Sequence, residues 1–158
     1  MPRNSRTQRG PDGPKKQREH YSGKKKRHTQ KAQVVADLKS KRILATAFAT
    51  GSTHDFQLFK DSRVLPVPTI TILADSGYQG IANLHANSQT PAKKSKLHPL
   101  RDAQKAANRA LSRQRIVIEN ILRRLKVFRV LSERYRNRRT RFALRFNLIA
   151  AIYNLELA

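Results

Sequence analysis

The sequence predicts an α/β fold of one domain, and three observations lead to that prediction. Residues 30–37 and 42–50 carry apolar side chains in the pattern of β-strands, and a short apolar run predicts a third strand at residues 70–74. Residues 102–126 and 140–155 instead repeat apolar side chains at the spacing of an α-helix. A chain of 158 residues is long enough for one domain with a modest core.

The charge of the chain indicates a polyanionic partner. It has 34 Lys and Arg residues against 10 Asp and Glu residues, a formal net charge of +24. Such an excess is typical of proteins that bind nucleic acid. Cysteine is absent, which excludes disulfides and cysteine-ligated zinc. No apolar run approaches the length of a membrane span and no signal-peptide pattern opens the chain, so we expect a cytoplasmic, nucleoid-associated protein without a membrane partner.

The first 19 residues differ in composition from the rest. They are polar, basic and rich in Gly and Pro, and such a segment buries too little apolar area to order itself. We therefore predict a disordered basic arm at residues 1–19 and a folded unit at residues 20–158.

The first two predicted strands form an antiparallel hairpin, because only a short polar connection at residues 38–41 separates them. After the hairpin, Ser52 or Thr53 is expected to cap a short helix. Asp55 lies at the start of that helix. An acidic residue there usually serves the helix dipole, and this interpretation is preferred to a role in a functional site.

The stretch from Ile70 to Gly80 is the strongest candidate for a functional site. Its apolar run predicts a buried strand that stops at Asp75, and glycines follow at Gly77 and Gly80. Buried α/β sheets present functional groups where strands end, so Asp75 occupies the position of a catalytic or metal-binding carboxylate. A simple turn explains the Asp-Ser-Gly sequence equally well on these residues alone.

Residues 81–100 lack a clear period and predict a loop with at most a short strand. In the helix that follows, Asp102 is expected to cap, an alanine-rich stripe is expected to pack, and Ser112 marks a possible bend. Glu119 lies beside the second apolar stripe of this helix, with Arg115 and Arg123 one turn away on either side. Taken alone, that spacing favours ordinary surface salt bridges of a few tenths of a kcal/mol.

Basic clusters lie on three predicted loops or strand edges. Lysine and arginine at such positions suit contacts to phosphates, and arginine forks suit them particularly well. The candidate DNA-binding residues are Lys24, Lys25, Lys26, Arg27, Lys93, Lys94, Arg134, Arg136, Arg138 and Arg139. In the last helix, Phe142, Phe146, Ile149, Ile152 and Tyr153 predict a core face, which Leu148 and Ala150 widen.

Five strings of residues together resemble the DDE-type insertion-sequence transposases, bacterial relatives of Harbinger-like elements. They occur in the order of that family, and the resemblance as a whole covers roughly residues 14–157. The strings are Tyr21-Ser-Gly-Lys-Lys-Lys-Arg-His-Thr, Gly51-Ser-Thr-His-Asp, Leu73-Ala-Asp-Ser-Gly-Tyr-Gln-Gly, Arg115-Ile-Val-Ile-Glu-Asn and Arg134-Tyr-Arg-Asn-Arg.

The resemblance implies a ribonuclease H-like mixed sheet with flanking helices, and a triad of two aspartates and a glutamate that holds two divalent metal ions. The second aspartate of that triad falls on Asp75 and the glutamate on Glu119, so both are implied as catalytic metal ligands. The implied cofactor is Mg²⁺ or Mn²⁺. Two such ions activate the nucleophile and stabilise the leaving oxygen in phosphodiester cleavage, or in strand transfer when a DNA 3′-hydroxyl attacks.

The chain departs from the family pattern at its front. Where the family carries its first aspartate, this chain has Ser5-Arg-Thr-Gln without a carboxylate, and Asp12 lies in a Pro-Asp-Gly turn. We therefore expect a C-terminal catalytic portion that is N-terminally truncated, with its first strand missing or degraded. Such a chain would be inactive or weak alone. Its expected partners are transposon-end and target DNA, and also a second copy or the upstream portion of the same transposase.

Two other classes of function stay open. A DNA-binding remnant or regulator without catalysis would share the fold and the charge, and only metal binding separates it from the enzyme. A basic RNA-binding protein would share the charge but would give Asp75 and Glu119 no role.

Overall fold

The computed structural model describes residues 21–22, 27–94, 99–133 and 141–157, which form a mixed α/β structure. The strands are β1 (Tyr21–Ser22), β2 (Arg27–His28), β3 (Gln30–Ala36), β4 (Ile43–Thr50), β5 (Ile72–Leu73) and β6 (Ser88–Gln89). The helices are α1 (Asp55–Ser62), α2 (Asp102–Leu125), α3 (Arg129–Ser132) and α4 (Phe142–Leu155), with 3₁₀ turns at Ser76–Tyr78 and Ile81–Asn83. The predicted α/β class is confirmed. In the described part of the chain, every helix is too short or too polar to cross a membrane.

The strands pair two by two. In the described residues β1 pairs with β2 and β3 with β4, both antiparallel, whereas β5 pairs with β6 in parallel. The predicted hairpin is thus confirmed as β3–β4. Parallel and antiparallel pairings both occur, but within these residues they lie in separate pairs rather than in the single mixed sheet that the resemblance implied.

The connection of the β3–β4 hairpin is fixed by Asp37. Its Oδ2 accepts a hydrogen bond of 2.8 Å from the Ser40 backbone N–H, and its own N–H donates to the Arg42 carbonyl at 3.0 Å. Hydrogen bonds from Ser40 hold the pKa of the Asp37 carboxyl below its usual value. Lys41 then takes a left-handed conformation, with φ of 61°, which turns the chain back into β4.

The core lies between this hairpin, the second half of α2 and α4. Its buried members are Ile43, Ile121, Leu125, Phe142, Phe146, Ile149, Ala150 and Tyr153. Phe48 of β4 contacts Phe142 and Phe146 edge to face, with ring centroids 5.8 and 5.4 Å apart. Such aromatic pairs add to the burial of their apolar area.

Asn154 fastens α4 to the start of β4. Its side chain accepts from the Ile43 N–H and donates to the Ile43 carbonyl, both at 2.8 Å. The register slips at this point, where Val35 pairs with Ala45 but Ala36 pairs with Ile43. The amide of Asn154 therefore satisfies backbone groups beside a β-bulge, which would otherwise lack partners.

Several details of the helices differ from the sequence-based expectations. α1 begins after His54, which makes no side-chain cap bond, so neither Ser52 nor Thr53 is its N-cap. Asp102 is the first residue of α2 rather than its cap; Arg101 is the cap, and its N–H donates to Gln104 Oε1 at 3.0 Å. The apolar periodicity predicts where a helix forms. Which residue caps it depends on the direction of the chain that enters the helix, and the periodicity does not report that direction.

Burial also differs in three places. In α2 the alanine stripe at Ala103, Ala106, Ala107 and Ala110 is exposed, and the helix passes Ser112 without a break. In α4, Leu148 and Ile152 face outward, 61% and 37% exposed. The strand predicted over residues 70–74 shortens to the two residues of β5, both half-buried, and Ile70 is exposed.

Candidate active site

Asp75 lies two residues after the end of β5 and is the N-cap of the 3₁₀ turn Ser76–Tyr78. Its side chain accepts from the Ser76 N–H and its carbonyl accepts from the Tyr78 N–H at 2.9 Å. The carboxylate is 54% exposed, so it remains open to solvent on one side. The sequence-based placement of Asp75 at a strand end is confirmed, although the strand is short.

Asp55 lies directly behind this turn. A Cβ atom at Gly77 would come within 3.2 Å of Asp55 Oδ2, so the lack of a side chain at Gly77 permits the close approach. Asp55 is also the first residue of α1, as expected for an acidic residue that favours the helix dipole. It therefore has both roles: it favours the N-terminus of α1 electrostatically and supports the turn that carries Asp75.

Lys31 of β3 holds Asp55 in place. Its Nζ donates to Asp55 Oδ1 at 2.9 Å and to the Thr53 carbonyl at 2.5 Å. The lysine and aspartate side chains are 31% and 49% exposed, so the pair is partly shielded from solvent. This contact joins the β3–β4 hairpin to the segment that bears Asp75.

Tyr78 closes the turn from the other side. Its ring contacts Phe59 of α1 edge to face at 6.1 Å, and its hydroxyl lies 3.5 Å from Gln33 Oε1. Burial, with the nearby charges of Asp55 and Asp75, raises the pKa of Tyr78 to about 12. The phenol is therefore a neutral group at physiological pH that lies within the field of both carboxylates.

Arg115 brings α2 to the turn. Its Nη1 lies 3.2 Å from Asp75 Oδ1, and its side chain is only 25% exposed. The sequence suggested Glu119 as its partner, but the structure pairs it with Asp75 instead. A cation thus already neutralises the strand-end carboxylate, and this contact fixes the face of α2 that lies beside it.

Glu119 follows Arg115 by one helical turn and is exposed. Residues four apart lie on the same side of a helix. Neither of the predicted salt bridges to Arg115 or Arg123 forms, and Glu119 makes no ion pair with any described residue. Its carboxylate is consequently available on the face of α2 that Arg115 directs toward Asp75.

The donor chemistry of this site fits a hard divalent cation. Carboxylate oxygens that are exposed on one side suit Mg²⁺ or Mn²⁺, which keep several of their waters. Asp75 and Glu119 are the two residues that would hold such an ion. Over the described residues, however, no group of three or more His, Asp or Glu side chains is arranged to bind a metal.

The predicted DNA-binding residues are only partly described. Lys93 and Lys94 are exposed, as expected of residues that contact DNA. Arg27 belongs to β2, and its side chain is not described. The remaining candidates lie outside the described residues: Lys24, Lys25, Lys26, Arg134, Arg136, Arg138 and Arg139.

Reasoning from the sequence missed three residues of this site. Lys31, Gln33 and Tyr78 carried no separate signal, because a strand lysine, a strand glutamine and a turn tyrosine are ordinary in isolation. Their places follow from long-range packing of β3 and α1 against the Asp75 turn. The only advance signal was that Tyr78 lies in the same string as Asp75.

The chain thus combines a strand-end aspartate, a helix that Arg115 joins to it and a formal net charge of +24. The family described as "Transposase DDE domain" matches residues 4–155. The chain is also 49% identical over 144 residues to a curated protein of Microchaete diplosiphon, "Probable transposase for insertion sequence element IS702". That match covers 91% of this chain and 52% of the relative, so the chain spans about half the relative's length.

The chain therefore belongs to the DDE-domain transposase family of insertion sequences. No solved structure matches it.

Proposed function

We propose that this chain forms part of a metal-dependent DNA-cleaving and strand-transfer site of a Harbinger-like insertion-sequence transposase acting at the nucleoid. One observation carries the proposal. The Arg115–Asp75 contact of 3.2 Å joins α2 to the strand-end carboxylate, and Glu119 follows Arg115 by one turn on the same side of that helix, which supports the proposal. Asp75 and Glu119 would then be the metal ligands contributed by this chain.

The carboxylates of Asp75 and Glu119 have different surroundings, and these suit different roles in holding a metal ion. Asp75 is fixed by its turn and by Arg115, so it supplies a positioned ligand. Glu119 has no ion-pair partner in the described residues and can reorient. A bound divalent ion would supply Lewis acidity toward a phosphodiester. The residues of this chain would orient that ion and the DNA.

Arg115 acts as a positioning residue in this proposal. Its Nη1 lies 3.2 Å from Asp75 Oδ1, and it precedes Glu119 by one helical turn on α2. A cation arriving at Asp75 would compete with the guanidinium for the same oxygen. Once released, Arg115 would be available for a DNA phosphate, for which its planar fork is suited.

The test is calorimetric titration of the whole chain with MnCl₂. We expect saturable binding that disappears in the double variant Asp75→Asn, Glu119→Gln, because both hard anionic donors are lost. The control is Asp102→Asn, which removes an exposed carboxylate at the other end of the same helix. If the double variant and the control bind Mn²⁺ as the wild type does, the proposal is wrong.

A second candidate, a DNA-binding regulator without catalysis, is favoured because no group of three or more acidic or histidine side chains in the described residues is arranged to bind a metal. The same absence predicts weak cleavage by this chain alone. Robust magnesium-dependent nicking of duplex DNA that Asp75→Asn abolishes would contradict the regulator. DNA binding without any metal binding would support it.

A further inference from the structure

One side chain of α2 fastens the neighbouring loop to the helix. The amide of Asn108 donates to the Ala92 carbonyl at 3.0 Å and accepts from the Ala92 N–H at 2.9 Å. Such a paired contact fixes both the position and the direction of the backbone at Ala92. Asn108 and Leu111 are half-buried, whereas the rest of residues 102–114 is exposed.

The residues that follow this tether carry two free positive charges. Lys93 and Lys94 come directly after Ala92, both are exposed, and neither forms a salt bridge with a described residue. Two adjacent lysines usually repel one another and are free to move apart. Here the backbone next to them is held, so the charges are presented at a fixed place on the surface.

The tether and the candidate active site share one face of α2. Asn108 and Arg115 are seven residues apart, about two helical turns, and Glu119 is eleven residues from Asn108, about three turns. All three side chains therefore project from the same side of the helix. At about 1.5 Å of rise per residue, Asn108 and Glu119 lie about 16 Å apart along the axis.

We propose that Lys93 and Lys94, which follow the residue held by Asn108, bind the backbone of duplex DNA about three to five base pairs from the phosphodiester at Asp75 and Glu119. Along the axis of α2, Asn108 lies about 10 Å from Arg115, which contacts Asp75, and about 16 Å from Glu119, and each strand advances about 3.4 Å per base pair. Lysines contact phosphates as point charges and carry no sequence preference of their own. The inference rests on the proposed function, because the distance to the lysines is measured from the proposed metal site.

The test measures binding of short and long duplexes by fluorescence anisotropy at saturating Mn²⁺. A hairpin duplex of about 2 base pairs cannot reach from the carboxylates to the lysines, whereas one of about 10 base pairs can. We expect the double variant Lys93→Ala, Lys94→Ala to weaken binding of the long duplex only. For that duplex the slope of log affinity against log salt should become shallower by about 1.8, since each phosphate contact contributes about 0.9.

Asn108 gives a second readout that does not change the charge. Asn108→Ala should also weaken binding of the long duplex, but by less than the double lysine variant. The lysines remain in this variant, and only their placement is lost. The matched control is Asn120→Ala, an exposed asparagine on the same helix. Circular dichroism should show the same helix content in both variants.

The possible outcomes separate this inference from the proposed function. The inference is wrong if the long duplex binds but the lysine variant weakens binding of both duplexes equally. It is also wrong if Asn108→Ala behaves like Asn120→Ala. Neither result contradicts the proposed function. If Mn²⁺ binds neither to the wild type nor to its DNA complexes, the proposed function fails first. Equal binding of a duplex RNA of the same length, with the same loss in the lysine variant, would overturn the assignment to DNA.

Discussion

The core around the β3–β4 hairpin and the site around Asp75 are held by different forces. In the core, phenylalanines of α4 pack against β4, and Phe146 is only 6% exposed. At the site, the Asp75 turn is joined to its neighbours by two partly exposed ion pairs, Arg115–Asp75 and Lys31–Asp55. Apolar burial is non-directional and strong, whereas partly exposed ion pairs contribute about 1 kcal/mol or less each.

This difference would suit the proposed site, which would accept a cation and DNA. The ion pairs of the turn can exchange one partner for another at small cost in free energy, while the ring of Tyr78 contacts Phe59. The hairpin and α4 meanwhile provide a scaffold that such an exchange leaves unchanged. The comparison therefore predicts large effects on stability in the core and small effects on stability, but clear effects on binding, at the site.

The largest effect is expected for Phe146→Ala. Removing a buried aromatic ring from a packed core leaves a cavity and costs about 3–5 kcal/mol of the free energy of unfolding. Urea denaturation followed by circular dichroism measures this change. Leu148→Ala, on the exposed side of the same helix, should stay within about 0.5 kcal/mol of the wild type. A larger loss in Leu148→Ala than in Phe146→Ala would show that α4 buries its other face instead.

Gly80→Ala should have an intermediate effect, at the border between the two regions. Gly80 has φ of +90°, and a Cβ there would also lie 3.4 Å from Phe56 Cε1. A left-handed conformation costs an ordinary residue about 1–2 kcal/mol. Gly80→Asn, which tolerates that conformation better, should lose less in the same urea experiment. If asparagine and alanine cost the same, the contact with Phe56 rather than the dihedral angle sets the penalty.

Arg115→Gln should change metal binding more than stability. The variant loses the ion pair to Asp75, which costs at most about 1 kcal/mol, but it also removes the cation that competes with a metal ion. We therefore expect a several-fold tighter affinity for Mn²⁺ by calorimetry. Arg113→Gln, an exposed arginine without an acidic partner among the described residues, is the control. An unchanged affinity in Arg115→Gln would mean that the guanidinium does not compete at Asp75.

The scaffold was more predictable from the sequence than the site. Residues 30–37 and 42–50 became β3 and β4, and residues 102–126 became α2 with a difference of one residue, because apolar periodicity reports local structure directly. The exposure of Leu148 was not predicted, because apolar residues surround most of α4 and its weak amphipathicity does not mark where the predicted core face ends.

The site shows the opposite pattern. Asp75 and Glu119 were predicted as site residues from strings that resemble a family, and Asp75 also from its place at a strand end, and their role stays a prediction. The salt bridge between Arg115 and Glu119 that the spacing alone favoured does not form. Glu119 lies four residues from Arg115, which is the local choice, whereas Asp75 lies on another element and is brought near only by tertiary packing. Sequence spacing predicts contacts within a helix and carries little information about contacts between elements.

The smallest expected effect is a dependence of stability on acid pH at the hairpin turn. Hydrogen bonds from Ser40 lower the folded-state pKa of Asp37 below its ordinary value of 3.8. Its stabilising contribution is therefore present above the unfolded-state pKa and is lost as the pH falls through the lower, folded-state pKa. In urea midpoints measured from pH 6 down to about pH 3, the advantage of the wild type over Asp37→Asn should stay constant until the pH approaches the ordinary pKa and should shrink below it. The control is Asp102→Asn, which removes a carboxylate that pairs with Lys105 at the start of α2. A constant difference between wild type and Asp37→Asn across this range would mean that the turn depends on the shape of the side chain and not on its charge.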